Sequence, residues 1–231
     1  INVLVGEPLL AERDMRRAAD GFAAVGDRFS YTICVTHDAE LAEMRGDYDR
    51  AVRLLEESLA IAEDVGFSIR GLATRSRLAN LEVLRGNLAL AASIHRQSLD
   101  ATTGPVPQWV HAISLMGLAN IARRRGDPAA ALAHVEEGLA LQRSSTTPLM
   151  RTSLLVARGY SADLAGDSEL ALASQHEGLA VALALGGPRA IANAVEGLAG
   201  ALALHGDAPT AARLLGAADS MRRRSGGPMP V

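Results

Sequence analysis

The chain has 231 residues, enough for one or two globular domains, and its formal net charge is −3. Hydrophobic residues make up 48% and aromatics only 3%, with Ala and Leu dominant, which suits an all-helical protein. All 23 basic residues are Arg, and this near-neutral balance shows no surface built for a polyanion.

Residues 6–20 read as a helix, with Leu9, Leu10, Ala11, Met15 and Ala18 forming an apolar stripe at helical spacing. The link that follows runs from Asp20 and Gly21 to Gly26 and Asp27, or the helix continues to Val25. Helices are expected near 29–45 and 48–64, ended by Val65-Gly66, and near 69–85 and 88–101. The run from Thr102 through Gly104 and Pro105 to Pro107 is the strongest breaker in the chain and predicts a bend or a longer loop. Further helices are expected near 108–125 and 128–143. The polar run Ser144 to Thr147 separates these from 148–165 and 168–185. Gly186-Gly187-Pro188 leads to 189–205 and 208–224. The tail from Ser225, with Gly226, Gly227, Pro228 and Pro230, cannot continue a helix. No segment alternates with period two for long enough to be a strand. The expectation is about eleven helices and no sheet.

One short stretch recurs through this series. Arg45-Gly46-Asp47, Arg85-Gly86-Asn87, Arg125-Gly126-Asp127, Ala165-Gly166-Asp167 and His205-Gly206-Asp207 place a glycine every 40 residues. A fainter copy, Gly6-Glu7-Pro8, extends the series to the N-terminus. A period of this size marks stacked units. Each glycine can close one helix with positive φ, and the Asp or Asn after it can cap the next. Pro128 stands just inside its helix, where a missing amide hydrogen costs least. Small residues recur seven before the glycine (Ala39, Ala79, Ala119, Gly159, Ala199) and five after it (Ala51, Ala91, Ala131, Ala171, Ala211). They recur again twelve after it (Ser58, Ser98, Gly138, Gly178, Ala218). Bulky side chains at these places would hold the helices apart. Leu59, Leu99, Leu139 and Leu179, one place further on, fill the seam between units.

These offsets and the Gly46-Asp47-Tyr48 turn resemble the tetratricopeptide repeat over roughly residues 6–220. The period departs from the family's usual ~34 residues, implying longer helices or connections. The resemblance implies an all-α, right-handed superhelical array of antiparallel hairpins. It would form one repeat domain over 1–231, with a half repeat at 6–25 and repeats at about 29–65, 69–101, 108–143, 148–185 and 189–224. Since the chain begins with Ile and half a unit, it reads as a piece of a longer polypeptide.

The stretch from Ala211 to Pro230, AARLLGAADSMRRRSGGPMP, is similar to the final repeats of large actinobacterial regulators of the AfsR/SARP type and the LuxR-type ATP-binding class. Such proteins carry an ATP-binding signalling domain, a DNA-binding domain and a helical-repeat region that senses or docks partners. The resemblance implies that this chain is the repeat region. A scaffold or assembly module unrelated to transcription is the alternative.

Motifs for chemistry are absent. A G-x-x-x-x-G-K-[ST] loop is impossible without Lys, and there is no C-x-x-C pair, H-E-x-x-H or G-x-S-x-G. No cofactor, metal or enzymatic activity is expected. Cys34 has no partner for a disulfide, no signal peptide is visible, and no apolar run reaches ~18 residues. A cytoplasmic protein away from membranes is expected, and the all-Arg usage points to a GC-rich bacterial source. His95 and Gln175 share the offset of Leu55, Val135 and Leu215, which places them inside a hairpin. Arg123-Arg124-Arg125 and Arg222-Arg223-Arg224 read as complements to helix dipoles rather than a nucleic-acid contact, since no aromatics are interleaved.

The resemblance also places ligands on the inner face of the first helix of each pair. Counting back six from each glycine gives Glu40, Asn80, Asn120, Tyr160 and Gly200. Counting back ten gives Thr36, Ser76, Met116, Val156 and Glu196, and counting back three gives Glu43, Val83, Arg123, Asp163 and Ala203. Arg77, Asn80, Met116, Asn120, Arg123 and Tyr160 are the candidate partner-binding residues. Asn grips both C=O and N–H of an extended peptide, and the two arginines add charge. A protein or peptide partner, or a small effector, is the expected ligand, and no direct nucleic-acid binding is expected. Arg77 and Asn80 match part of the carboxylate clamp of tetratricopeptide co-chaperones, but its lysines are missing. Ordinary solvated residues remain the competing reading of all six.

Overall fold

The computed structural model describes residues 8–66, 68–100, 108–141 and 148–224. Among them are eleven helices and no strand. They are α1 (Pro8–Ala24), α2 (Arg28–Met44), α3 (Tyr48–Asp64), α4 (Ser68–Leu84), α5 (Leu88–Asp100) and α6 (Gln108–Arg124). The series continues with α7 (Pro128–Leu141), α8 (Pro148–Ala165), α9 (Ser168–Leu185), α10 (Pro188–Leu204) and α11 (Ala208–Arg224). The expected breakers at Thr102–Pro107 and Ser144–Thr147, and the tail from Ser225, lie outside the described residues.

The repeated stretch folds as its chemistry dictates. Gly46, Gly86, Gly126, Gly166 and Gly206 all adopt positive φ, between 72° and 89°. The amide of Asp47 bonds back to the Ala42 carbonyl at 3.0 Å, satisfying an orphan carbonyl of α2, and Asp127, Asp167 and Asp207 do the same one turn back. The Asp47 carboxylate then caps α3 by accepting the Arg50 amide at 3.1 Å. Asp127, Asp167 and Asp207 cap their helices likewise, at 3.0, 3.0 and 3.2 Å.

One expectation is corrected. Asn87 does not cap α5; its amide donates to Glu82 at 2.5 Å. Glu82 is only 3% exposed and also holds Arg85 at 2.8 Å, so a buried carboxylate takes Asn87 away from capping. Of the two readings of the first link, the continuing helix holds: Gly21 lies inside α1, and the turn is confined to Val25, Gly26 and Asp27. Among the described residues, three turns between hairpins use the same glycine device as the turns within them. Gly26, Gly66 and Gly186 also have positive φ, so the motif is spaced by 20 residues from Gly26 to Gly86 and from Gly166 to Gly206.

The small residues sit where helices meet. Ala39, Ala79, Ala119 and Ala199 are at most 1% exposed, and Ala51, Ala91, Ala131 and Ala171 are fully buried. The seam leucine Leu59 lies 3.7 Å from where a Cβ on Gly71 of the next hairpin would stand.

The chain divides into two compact units, residues 1–106 and 107–231. In the first, each of α1–α4 packs on the helix that follows it. Ala39, Ala42, Ala51, Leu55 and Leu81 form a core there. In the second, α6–α11 pack in the same sequential way, and α8 also packs on both α6 and α10. A core there joins Ala112, Ala119, Val135, Leu139, Leu154, Leu155 and Ala157. The even-numbered helices from α2 onward are the first helices of hairpins, the A helices.

Candidate functional site

Arg77 and Asn80 belong to the first unit, and Met116, Asn120, Arg123 and Tyr160 to the second. In the first unit, Arg77 reaches from α4 back to α2. Its guanidinium donates to Glu40 and lies 3.7 Å from Glu43. His37 shares Glu40, with Nδ1 at 2.9 Å, and that carboxylate raises the His37 pKa. Arg77 is therefore already neutralised by its own unit. Asn80, one turn further along α4, is exposed.

In the second unit, Met116, Asn120 and Arg123 lie along α6 at spacings of four and three, so they share one face. Met116 is half-buried against the core around Leu154. Asn120 and Arg123 are half-buried. The Arg123 guanidinium carbon stands 5.3 Å from the centre of the Tyr160 ring on α8, a cation–π contact between successive A helices. A Cβ on Gly200 of α10 would lie 3.9 Å from the same ring, so the third A helix completes the packing around Tyr160. Burial pushes the Tyr160 hydroxyl pKa up, with Glu196 adding to the effect, so the phenol stays neutral at physiological pH.

Two features of this face escape the sequence pattern. Glu196 on α10 is held by Arg222 of α11, whose Nε donates at 2.6 Å and whose terminal nitrogen also donates to Asn193 at 2.7 Å. Arg222 is only 8% exposed. Arg223 turns instead to Asp219 at 2.9 Å, and Arg124 is exposed. The residues of each arginine run thus face different surroundings. The signal that could have shown the cross-helix contacts is a separation of 37 residues, shared by the Glu40–Arg77 and Arg123–Tyr160 pairs.

His95 and Gln175 are fully buried inside their hairpins, as their offset implies. No group of three His, Cys, Asp or Glu side chains is placed to hold a metal ion among the described residues. No helix among them is long and apolar enough to cross a membrane.

Residues 31–104 match the family model described as Tetratricopeptide repeat. BtubC (BKLC) from P. vanneervenii is similar over 99% of this chain and 93% of its own, with a TM-score of 0.66 at 18% identity. The fold is a tetratricopeptide-repeat fold. The repeat is also shared with a Signal Transduction ATPase with Numerous Domains (STAND) protein with a tetratricopeptide repeat sensor, from Pyrococcus horikoshii. That match has a TM-score of 0.70 at 16% identity and covers 97% of this chain but 33% of the STAND protein. Nearly identical TPR-like repeats of a putative kinesin light chain from Podosopora anserina match with a TM-score of 0.57 at 18% identity, covering 83% of this chain and 94% of theirs. No curated protein sequence matches the chain.

Proposed function

We propose that this chain is the partner- or signal-binding region of a bacterial transcriptional regulator, working in the cytoplasm and taking a peptide, a protein segment or a small effector on the inner faces of its A helices. One observation carries most of the weight. Almost the whole chain matches 33% of a STAND protein whose description names a tetratricopeptide repeat sensor. The AARLLGAADSMRRRSGGPMP stretch supports the same reading through its similarity to the last repeats of AfsR/SARP-type and LuxR-type regulators. Stacked repeats build extended binding surfaces, which suits a sensing region without chemistry of its own.

The test uses the polypeptide that carries this chain. Deleting residues 8–224 should abolish signal-dependent transcription from a reporter while leaving the remaining domains folded. The chain by itself should hydrolyse no ATP and leave duplex DNA unbound at physiological salt. A carrier polypeptide without ATP-binding and DNA-binding domains would point to a scaffold module instead. Tight, salt-sensitive DNA binding by the chain would overturn the reading outright.

A further inference from the structure

We propose that the inner face of the second unit receives an acidic side chain of a partner peptide, with Arg123 as the residue that takes the carboxylate. The proposal rests on the partner-binding reading above and makes its ligand specific.

The starting point is a charge without a counter-charge. Most half-buried or buried arginines here are held by carboxylates: Arg50 by Asp38, Arg77 by Glu40, Arg158 by Glu177 and Arg222 by Glu196. Arg123 has no such partner among the described residues, and its Nε is buried without a hydrogen bond. What holds it is the Tyr160 ring at 5.3 Å. Stacking fixes the plane of a guanidinium, and its outer N–H groups then meet a carboxylate side-on with two parallel hydrogen bonds.

The surroundings narrow the ligand. Asn120 lies one turn before Arg123 on α6, and its amide both donates and accepts, as an extended peptide backbone requires. Met116 offers a half-buried apolar contact one turn further on. Tyr160 and Gly200 continue the face on the next two A helices. A chain crossing these groups meets Arg123 midway, so the carboxylate comes from a side chain rather than a chain end. A phosphate fits less well. Arg222 also acts on Tyr160 but is held by Glu196, so a phosphate dianion would meet the one guanidinium of Arg123, whose single charge a carboxylate matches.

Arg70 provides an internal control. It is likewise stacked, over Phe29 at 4.9 Å, with a buried Nε that has no hydrogen bond. No asparagine or glutamine stands three or four residues to either side of it in the sequence.

The arginine Nε–H signals of the whole chain can be followed by NMR during titration with acetyl-Leu-Glu-Leu-amide. Comparators are acetyl-Leu-Gln-Leu-amide, acetyl-Leu-Leu with a free C-terminus, and inorganic phosphate. The Arg123 signal should shift and saturate with the Glu peptide, which binds roughly ten-fold or more tightly than the Gln peptide. Arg70 and Arg222 should stay still, Arg123→Lys should weaken binding, and Arg123→Gln should abolish it. Equal binding of the Glu and Gln peptides, a stronger response to phosphate or to the free C-terminus, or an Arg70 shift as large as that of Arg123 would each overturn the proposal. The regulatory reading fails separately. A reporter indifferent to deletion of this region removes that reading even if the Glu peptide binds. A silent Arg123 in a region the reporter needs removes only the carboxylate site.

Discussion

His95 shows what one side chain does when its repeat position is apolar everywhere nearby. It occupies the offset of Leu55 and Val135, is fully buried on α5, and has no hydrogen-bond partner on either ring nitrogen among the described residues. Burial disfavours the charged imidazolium and pushes its pKa down to about 4. An unfolded chain takes up that proton near pH 6.5. Between about pH 6.5 and 4 the unfolded state therefore binds more protons, and stability falls as pH falls. Between pH 7 and pH 5 the expected loss is about 2 kcal/mol. His95→Leu, which restores the residue type of Leu55, should flatten this dependence. Urea midpoints of both proteins at pH 7 and pH 5 test it. If the parent and the variant lose the same stability on acidification, His95 is not the titrating group.

At the scale of helices, the fit is set by pairs of positions rather than by single ones. Val135 packs in one cluster with Ala119 on α6 and Ala157 on α8. In the next hairpin the equivalent of Val135 is Gln175, and the equivalents of the two alanines are Gly159 and Gly197. The larger side chain fills the space that two missing methyls leave. A Cβ on Gly159 would stand 2.3 Å from Gln175 Nε2, and one on Gly197 would stand 2.2 Å from its Oε1. Gln175 is anchored there by donating to the Val156 carbonyl at 3.3 Å. Gly197→Ala should therefore destabilise the second unit by ~1–3 kcal/mol, although alanine is the better helix former by ~1 kcal/mol. Combined with Gln175→Val, the same substitution should become neutral or stabilising. A thermal-melting double-mutant cycle reads the coupling, and additive effects would show that the glycines are not there for Gln175. Ala131→Phe tests the common seam. Ala131 is fully buried at a helix contact, so an aromatic ring should cost ~1–3 kcal/mol. An unchanged melting temperature would contradict the close approach of α6 and α7.

Across the whole molecule, a 40-residue period prints each constraint five times, which is why the capped turns and small-residue seams are legible without coordinates. The 20-residue recurrence is harder to see, because Val65-Gly66-Phe67 and Gly186-Gly187-Pro188 lack the Asp or Asn that marks the other turns. Burial is not a property of offset alone. Leu55 is 1% exposed, whereas Leu215 at the same offset in α11 is 50% exposed, with no helix after α11 among the described residues to cover it. Candidate site residues are legible as a face but not as a network, since the partner of Arg77 is set by packing between helices. The inner faces are tested most directly in the full polypeptide. Asn80→Ala probes the first unit and Asn120→Ala the second, and neither asparagine belongs to the buried core. Alanine favours helix more than asparagine does, so both variants should keep full helicity by circular dichroism. The paired variant should lose the parent's signal response, and the single variants assign that loss to a unit. If the paired variant is fully helical and the parent still responds normally, the A-helix faces are not where the partner binds. The exposed faces of the second helices of the hairpins are then the surface to mutate next.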